Sequence, residues 1–242
     1  MANDNGINYK EYYEEAGREN NIWNWRGQKF EYYREMLRYN KLAGVIGGKK
    51  YDILDLGCGD GFLSCMLAER GHRVDAMDIS GERLSKFAER AKKLNVRQIC
   101  GSVFEYDFSG EYDVIVSSEV LEHLEDYKSV LRTVCRILKP GGRLVVSVPY
   151  RERINTCKCP YCMKEFNMYG HLHSFDEKVF QDLSVELGLN ITGIKTLNNK
   201  LTTYMSKFGP LKTYTLYRLF DGLASILNKK MDTHMIVEMW KK

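Results

Sequence analysis

Proline is scarce in this 242-residue chain, with four in all, and no Gly/Ser-rich or low-complexity tract divides it, so nothing marks a linker between separate domains. Long hydrophobic runs are lacking too. No stretch approaches the ~20 apolar residues of a membrane span, and the polar start Met-Ala-Asn-Asp-Asn-Gly is not followed by a signal-type apolar run. Nor is there an excess of one charge: 36 Lys/Arg against 32 Asp/Glu leave +4, too mild by itself to imply nucleic acid. What is present is 44% hydrophobic and 12% aromatic, enough apolar material to exclude global disorder. The expectation is a soluble, cytoplasmic globular protein with one domain over residues 1–242.

Two residue types are unevenly placed. From Lys195 to Lys242 nine Lys/Arg face three Asp/Glu, which puts +6 on this stretch and −2 on the rest. A solvated lysine-rich face explains this most simply; an anionic substrate, a lipid surface or nucleic acid are the alternatives. Of the seven cysteines, Cys58, Cys65, Cys100 and Cys135 lie singly in apolar segments and read as small buried hydrophobes. Cys157, Cys159 and Cys162 sit together in a loop-like stretch, which in a cytosolic chain points to metal before disulfide.

From Tyr51 onward β-type runs alternate with helical ones. Strands are expected at 53–56, 73–78, 96–100, 112–117, 144–148, 190–196 and 234–240. Helices are expected at 62–70, 82–94, 127–138 (stopped by Lys139-Pro140-Gly141-Gly142) and 176–188. This alternation means βαβ units: an α/β, Rossmann-like, mostly parallel sheet with helices on both faces, which binds ligands beyond the carboxyl ends of its strands. The expected divisions are a helical N-terminal cap (1–48), a core (49–198) with a Cys/His loop (157–173), a helical insert (199–232) and a last strand (233–242). The cap is aromatic, with Tyr12, Tyr13, Trp23, Trp25, Phe30, Tyr32, Tyr33 and Tyr39.

The sharpest motif is Asp55-Leu56-Gly57-Cys58-Gly59-Asp60-Gly61, directly after the first strand and before a helix. Glycines there let the backbone turn tightly and approach a ligand. A little over twenty residues on, the second strand ends at Asp78, placed to accept hydrogen bonds from ribose hydroxyls. A dinucleotide is disfavoured, because Phe62 stands where its fingerprint needs the third glycine and acidic residues flank the loop. S-adenosylmethionine has no phosphate and presents an ammonium group, which acidic residues suit.

Here the chain resembles the class I S-adenosylmethionine-dependent methyltransferases, over roughly residues 51–196. The glycine loop looks like their first motif, Asp78 like their ribose-binding acid, residues 112–124 (YDVIVSSEVLEHL) like their fourth-strand motif, and Leu138-Lys139-Pro140-Gly141-Gly142 like the turn before their fifth strand. The resemblance implies a seven-stranded sheet of order 3-2-1-4-5-7-6 with the seventh strand antiparallel. It implies that Gly57, Cys58 and Gly59 line the methionine portion of the donor and that Asp55 helps hold its ammonium. Asp78 and Ile79 would then meet the ribose, Ser102 and Val103 flank the adenine, and Ser118 and Glu119 offer backbone contacts near the methionyl group. Methyl transfer is one in-line displacement that alignment and a water-poor pocket accelerate. His123, with Glu122 beside it, is the candidate base; packing under the loop is its other reading.

Two metal constellations suggest themselves. Cys157, Cys159, Cys162 and His171 supply three thiols and an imidazole for structural zinc, with free thiols as the alternative. The Glu119-x-x-Glu122-His123 run with His173 resembles a divalent-cation site of small-RNA and ubiquinone-pathway O-methyltransferases, which implies Mg or Mn; that is the less favoured of the two. The histidines cannot serve both. In the insert, Leu216, Leu219, Phe220, Leu223, Ile226 and Leu227 recur at helical spacing. Packing on the core or on a homodimer partner is favoured over a substrate lid or an interfacial helix. The chain is thus expected to be an enzyme that methylates an O or N nucleophile of a small molecule, anionic or apolar in character. RNA or protein methylation, and non-catalytic S-adenosylmethionine binding, are the rivals.

Overall fold

The computed structural model describes residues 9–19, 29–106, 108, 111–207, 211 and 213–242; Trp23 and Trp25 lie outside the described residues. Helices α1 (Tyr9–Glu19) and α2 (Lys29–Ile46) precede β1 (Asp52–Leu56), α3 (Phe62–Glu69), β2 (Arg73–Asp78), α4 (Gly81–Ser85), α5 (Ala88–Leu94) and β3 (Arg97–Cys100). Then come β4 (Tyr112–Ser118), α6 (Tyr127–Arg136), β5 (Leu138–Pro149), β6 (Thr156–Lys158), β7 (Glu165–Asn167) and α7 (Glu177–Leu187). The order closes with β8 (Leu189–Asn199), α8 (Lys200–Lys207), α9 (Tyr214–Leu227) and β9 (Asp232–Lys241).

Seven strands form one sheet in the order β3-β2-β1-β4-β5-β9-β8, and β6 pairs only with β7. Without that small hairpin this is the expected 3-2-1-4-5-7-6 order. Neighbours from β3 to β5 run parallel, while β9 is antiparallel to both β5 and β8. The period-2 alternation of a strand sends successive side chains into two cores. Along β4, Ile115 joins Leu54, Leu144 and Val237 on one face, while Val114 and Val116 join Ile53, Val145 and Ile236 on the other. Between β1 and β4 the winding direction reverses, and the strand ends splay into a crevice there.

The structure departs from the expected elements in four places. The helix expected over 82–94 breaks into α4 and α5, because Phe87 at the break turns inward to 2% exposure. The helix α6 ends at Arg136, and β5 starts at Leu138 instead of Leu144. Leu138 is fully buried opposite Tyr112, and the register then shifts across a bulge before Val114 meets Arg143. At Gly142 a Cβ would lie 2.8 Å from the Lys139 carbonyl, so the backbone folds tightly there without leaving the strand. The β6–β7 hairpin carries no periodicity that its three-residue strands could show.

The fourth departure concerns α9. Its inward face is Tyr217, Asp221 and Ala224, whereas Leu216, Leu219, Leu223, Ile226 and Leu227 point outward. Asp221 decides the rotation. Its carboxylate accepts from the backbone N–H groups of Asn198 and Asn199 at 3.0 and 2.8 Å, closing the end of β8, and only a helix turned this way brings the acid to them. Removing that acceptor leaves two buried donors unmet. Asp221→Ala is therefore expected to destabilise the fold by about 1–3 kcal/mol, measured by urea unfolding; an unchanged midpoint would refute this account of the helix's orientation.

Candidate active site

The glycine loop begins where β1 ends. The N–H groups of Gly57 and Cys58 both donate to the Met77 carbonyl, at 2.8 and 2.9 Å, which ties the loop to β2. Gly57 has a positive φ of 73°, and a Cβ there would sit 2.4 Å from Val120 Cγ2, so a side chain is excluded twice over. Asp78 ends β2 with both carboxylate oxygens engaged: Oδ2 accepts from Gly59 N at 2.8 Å and Oδ1 from Ser80 N at 2.9 Å. Burial raises its pKa despite those donors.

Beyond these strand ends lies a cavity of about 270 Å³. Of the residues expected around the donor, Gly57, Gly59, Asp78, Ile79, Ser102, Val103 and Glu119 line it, and so does His123. Asp55, Cys58 and Ser118 do not. Asp55 alternates to the face of β1 that carries α3, where its carboxylate accepts from Ser64 Oγ at 2.5 Å and burial pushes it up to about 7. It braces the loop from beneath.

Among the further lining groups, Tyr13 is one of the aromatics of the N-terminal cap, whereas Arg83 carried no signal in the sequence. Tyr13 of α1 lines the cavity and meets the His123 ring edge-on at 6.0 Å between centroids. Its neighbour Glu14 accepts from Ser80 Oγ, Gly81 N and Glu82 N at 3.0, 2.8 and 3.0 Å. A carboxylate from a distant helix thus caps the start of α4. Arg83, another lining residue, faces Asp60 at 3.6 Å. In this way α1 spans the mouth from α4 to His123.

The opposite wall is a buried polar cluster. Glu119 has a left-handed φ of 56°, donates its N–H to the Ser147 carbonyl at 2.9 Å and accepts from Ser147 Oγ at 2.7 Å. Burial raises its pKa, but Arg38 at 3.6 Å and His234 at 3.5 Å outweigh that and hold it below the carboxylate range. Arg38 is itself paired with Glu35. Glu122 is the reverse case: fully buried, with neither oxygen partnered, and raised well above the usual range by burial and then by the charge of Glu119. His123 Nδ1 donates to the Gly170 carbonyl at 3.2 Å, which leaves Nε2 with a free lone pair. Burial, then His171, lower its pKa, so the ring is neutral at pH 7.

The structure also redistributes the expected metal ligands. His171 pairs through Nδ1 with Glu152, and its ring lies 4.7 Å from that of His123. Among the described residues, Glu122, His123 and His171 each bring a ligand atom within 4.8 Å of the others, and no such group of three contains a cysteine. The set Cys157, Cys159, Cys162 and His171 is therefore not assembled, because the Glu122–Leu172 backbone bond (2.7 Å) draws this segment onto the E-x-x-E-H turn. The hairpin keeps only Cys159 and Cys162 in contact, with the N–H groups of Cys162 and Tyr161 lowering the Cys159 thiol. His173 is not part of that group; its Nε2 bonds the Leu124 carbonyl at 2.8 Å, between Tyr127 and Phe175. Cys100, expected inside, is exposed.

Residues 54–146 match the family of methyltransferase domains. That stretch is a methyltransferase domain. Over 114 residues it is 36% identical to the ubiquinone biosynthesis O-methyltransferase of Aeromonas salmonicida. That match covers 46% of this chain and 47% of the relative, so the chain spans about half the length of the curated relatives it matches. Among solved structures, the N-methyltransferase NodS from Bradyrhizobium japonicum, in complex with S-adenosylhomocysteine, superposes with a TM-score of 0.61 over 97% of this chain and 99% of its own, at 16% identity. The Burkholderia thailandensis 1,6-didemethyltoxoflavin-N1-methyltransferase, with bound 1,6-didemethyltoxoflavin and S-adenosylhomocysteine, gives 0.59 over 96% and 85%, at 18% identity. At such identities the likeness is one of fold.

The seating of α1 is testable through Glu14. Backbone N–H donors, that of Glu82 foremost, hold its carboxylate below the ordinary range. A lowered folded pKa means that the contact is complete above that range and is lost as pH falls through it. Hydrogen exchange of residues 9–19, corrected for intrinsic rates, should quicken roughly tenfold in Glu14→Ala, and in the unaltered protein as the carboxyl is protonated. Equal protection in both proteins would show that α1 is held by something else.

Proposed function

We propose that this chain transfers a methyl group from S-adenosylmethionine to an oxygen or nitrogen of a small-molecule acceptor. The observation that carries this reading is the cavity itself: it opens at the switch point, runs past a side-chain-free Gly57 and has Asp78 at its rim. Asp78 spends one lone pair of each oxygen on Gly59 and Ser80 and keeps the others for ribose hydroxyls. Arg83, the cation on this rim, is turned to Asp60, which suits a donor without phosphate. The O-methyltransferase name of the Aeromonas relative and the S-adenosylhomocysteine in both solved neighbours support it further.

When bound, S-adenosylmethionine supplies a sulfonium-activated methyl group. The protein's own part is alignment and exclusion of water. Val103 and Phe104 flank the adenine end, and Tyr13 covers the opening toward His123. His123, a lining residue with a neutral ring, takes the acceptor's proton at Nε2, which lies 4.0 Å from Glu122 Oε1. The basic C-terminal third keeps an RNA acceptor as the rival, without a recognisable RNA-binding module to support it.

A second reading rests on Glu122. Buried carboxylate oxygens without a partner call for one, and with His123 and His171 they form a donor set suited to a divalent cation such as Mg or Mn. Such a cation would acidify a hydroxyl acceptor.

The donor site is tested by Asp78→Ala. Each charge-assisted bond lost costs on the order of 1.5–3 kcal/mol, so calorimetry should show S-adenosylhomocysteine affinity falling at least tenfold; unchanged affinity would move the ribose elsewhere. For the chemistry, His123→Ala should cut turnover by ~10²–10⁴ while donor affinity stays. If a chelator abolishes turnover, Mg²⁺ or Mn²⁺ restores it, and Glu122→Ala is equally damaging, the cation reading replaces the base. Tight donor binding with no turnover on any metabolite extract would make the chain a regulator.

A further inference from the structure

The outward row of α9 is a large apolar surface that neither the core nor the active site uses. Leu216, Leu219, Leu223, Ile226 and Leu227 are 48, 57, 61, 82 and 83% exposed. Their spacing of three and four residues places them on one side of a fourteen-residue helix. Isolated exposed leucines are ordinary, but a row of this kind marks an interaction surface.

The neighbouring side of the same helix is cationic. Arg218, Gly222 and Ser225 of the helix and Lys229 just after it line a cleft of about 300 Å³ with Lys41 of α2 and Lys195 of β8; Asp221 contributes to the same lining. Lys229 reaches Glu177 at 3.1 Å and stays half exposed; Lys41, Lys195 and Arg218 form no salt bridge with a carboxylate among the described residues. The one acid of the helix, Asp221, is 3% exposed and turned to the end of β8. Asp232, at the start of β9, is equally buried, on Asn199 and Ser225. Asp221 and Asp232 are thus buried while the partly exposed Glu177 holds Lys229, and what this face shows to solvent is the apolar row with Arg218, Lys41 and Lys195 beside it.

We propose that this face docks on an anionic phospholipid surface, with the leucine row entering the headgroup–acyl boundary and the cleft receiving lipid phosphate. An apolar stripe beside lysines and arginine is the arrangement that binds in the plane of such an interface. A second copy of the chain is the poorer occupant. A two-fold pairing would set the patch against itself and bring cations onto cations. The described helices include none long and apolar enough to cross a membrane, so contact is peripheral. The inference is independent of what the active site methylates.

Sedimentation of the full chain with vesicles tests it. Vesicles of phosphatidylglycerol and phosphatidylcholine in equal parts should carry the protein down, less so as salt rises, and phosphatidylcholine alone should not. Leu219→Glu with Leu223→Glu should abolish binding. Lys195→Ala with Arg218→Ala should weaken it roughly fivefold per charge removed. All four side chains are exposed, so unchanged melting and unchanged S-adenosylhomocysteine binding should show the fold intact; if the leucine pair misfolds, the charge pair decides. Absence of binding, equal binding to neutral vesicles, or a dimer in sedimentation equilibrium that Leu223→Glu dissolves would each overturn the proposal.

Discussion

One carboxylate organises this molecule. Asp78 ends β2 between two backbone donors, Gly59 N from the loop after β1 and Ser80 N from the turn into α4. Those bonds set the width of the crevice on one side of the switch point. Ser80 then presents its hydroxyl, and the N–H groups behind it, to Glu14 of α1. The floor, the rim and the cover of the cavity thus hang on a short chain of hydrogen bonds around a buried acid. That acid keeps lone pairs in reserve for a ligand.

The far wall shows how neighbouring groups of one type are driven apart. Glu119 and Glu122 stand three residues apart, the first partly and the second fully buried. Glu119 faces Arg38 and His234 and stays anionic; Glu122 meets no cation close enough to offset its burial and holds its proton. Two charges so near one another in a poorly solvated place are unfavourable, and the protein places its cations to settle which carboxyl ionises. His123, between the two acids and His171, is kept neutral by the same lack of solvent. A base at the cavity wall, His123, is thereby set in front of a buried neutral acid, Glu122.

The insert before the last strand follows another logic. A polar anchor, Asp221 on the exposed backbone end of β8, determines which side of α9 packs inward. Meeting two N–H groups outweighs burying five aliphatic side chains that solvent or another surface can receive. The most apolar row of the sequence in this region is thereby left outside, next to the cations that give the C-terminal third its charge.

The strand order came from the family resemblance, while periodicity and turn chemistry were enough to read the alternation of strands and helices, the glycine loop and Asp78 from the sequence. These depend on local backbone geometry and on the single alternation that parallel sheets impose. Asp55 shows the limit: its position in the motif is plain, yet the face to which β1 turns it sends it beneath the loop, onto Ser64. The pairing of Glu14 with α4, of His171 with Glu152 and His123, and of Asp221 with β8 joins residues that are 66, 19, 48 and 22 positions or more apart. No local pattern encodes such contacts. They exist because the folded sheet and its loops place particular donors and acceptors within reach, and a buried polar group takes whatever partner that geometry supplies.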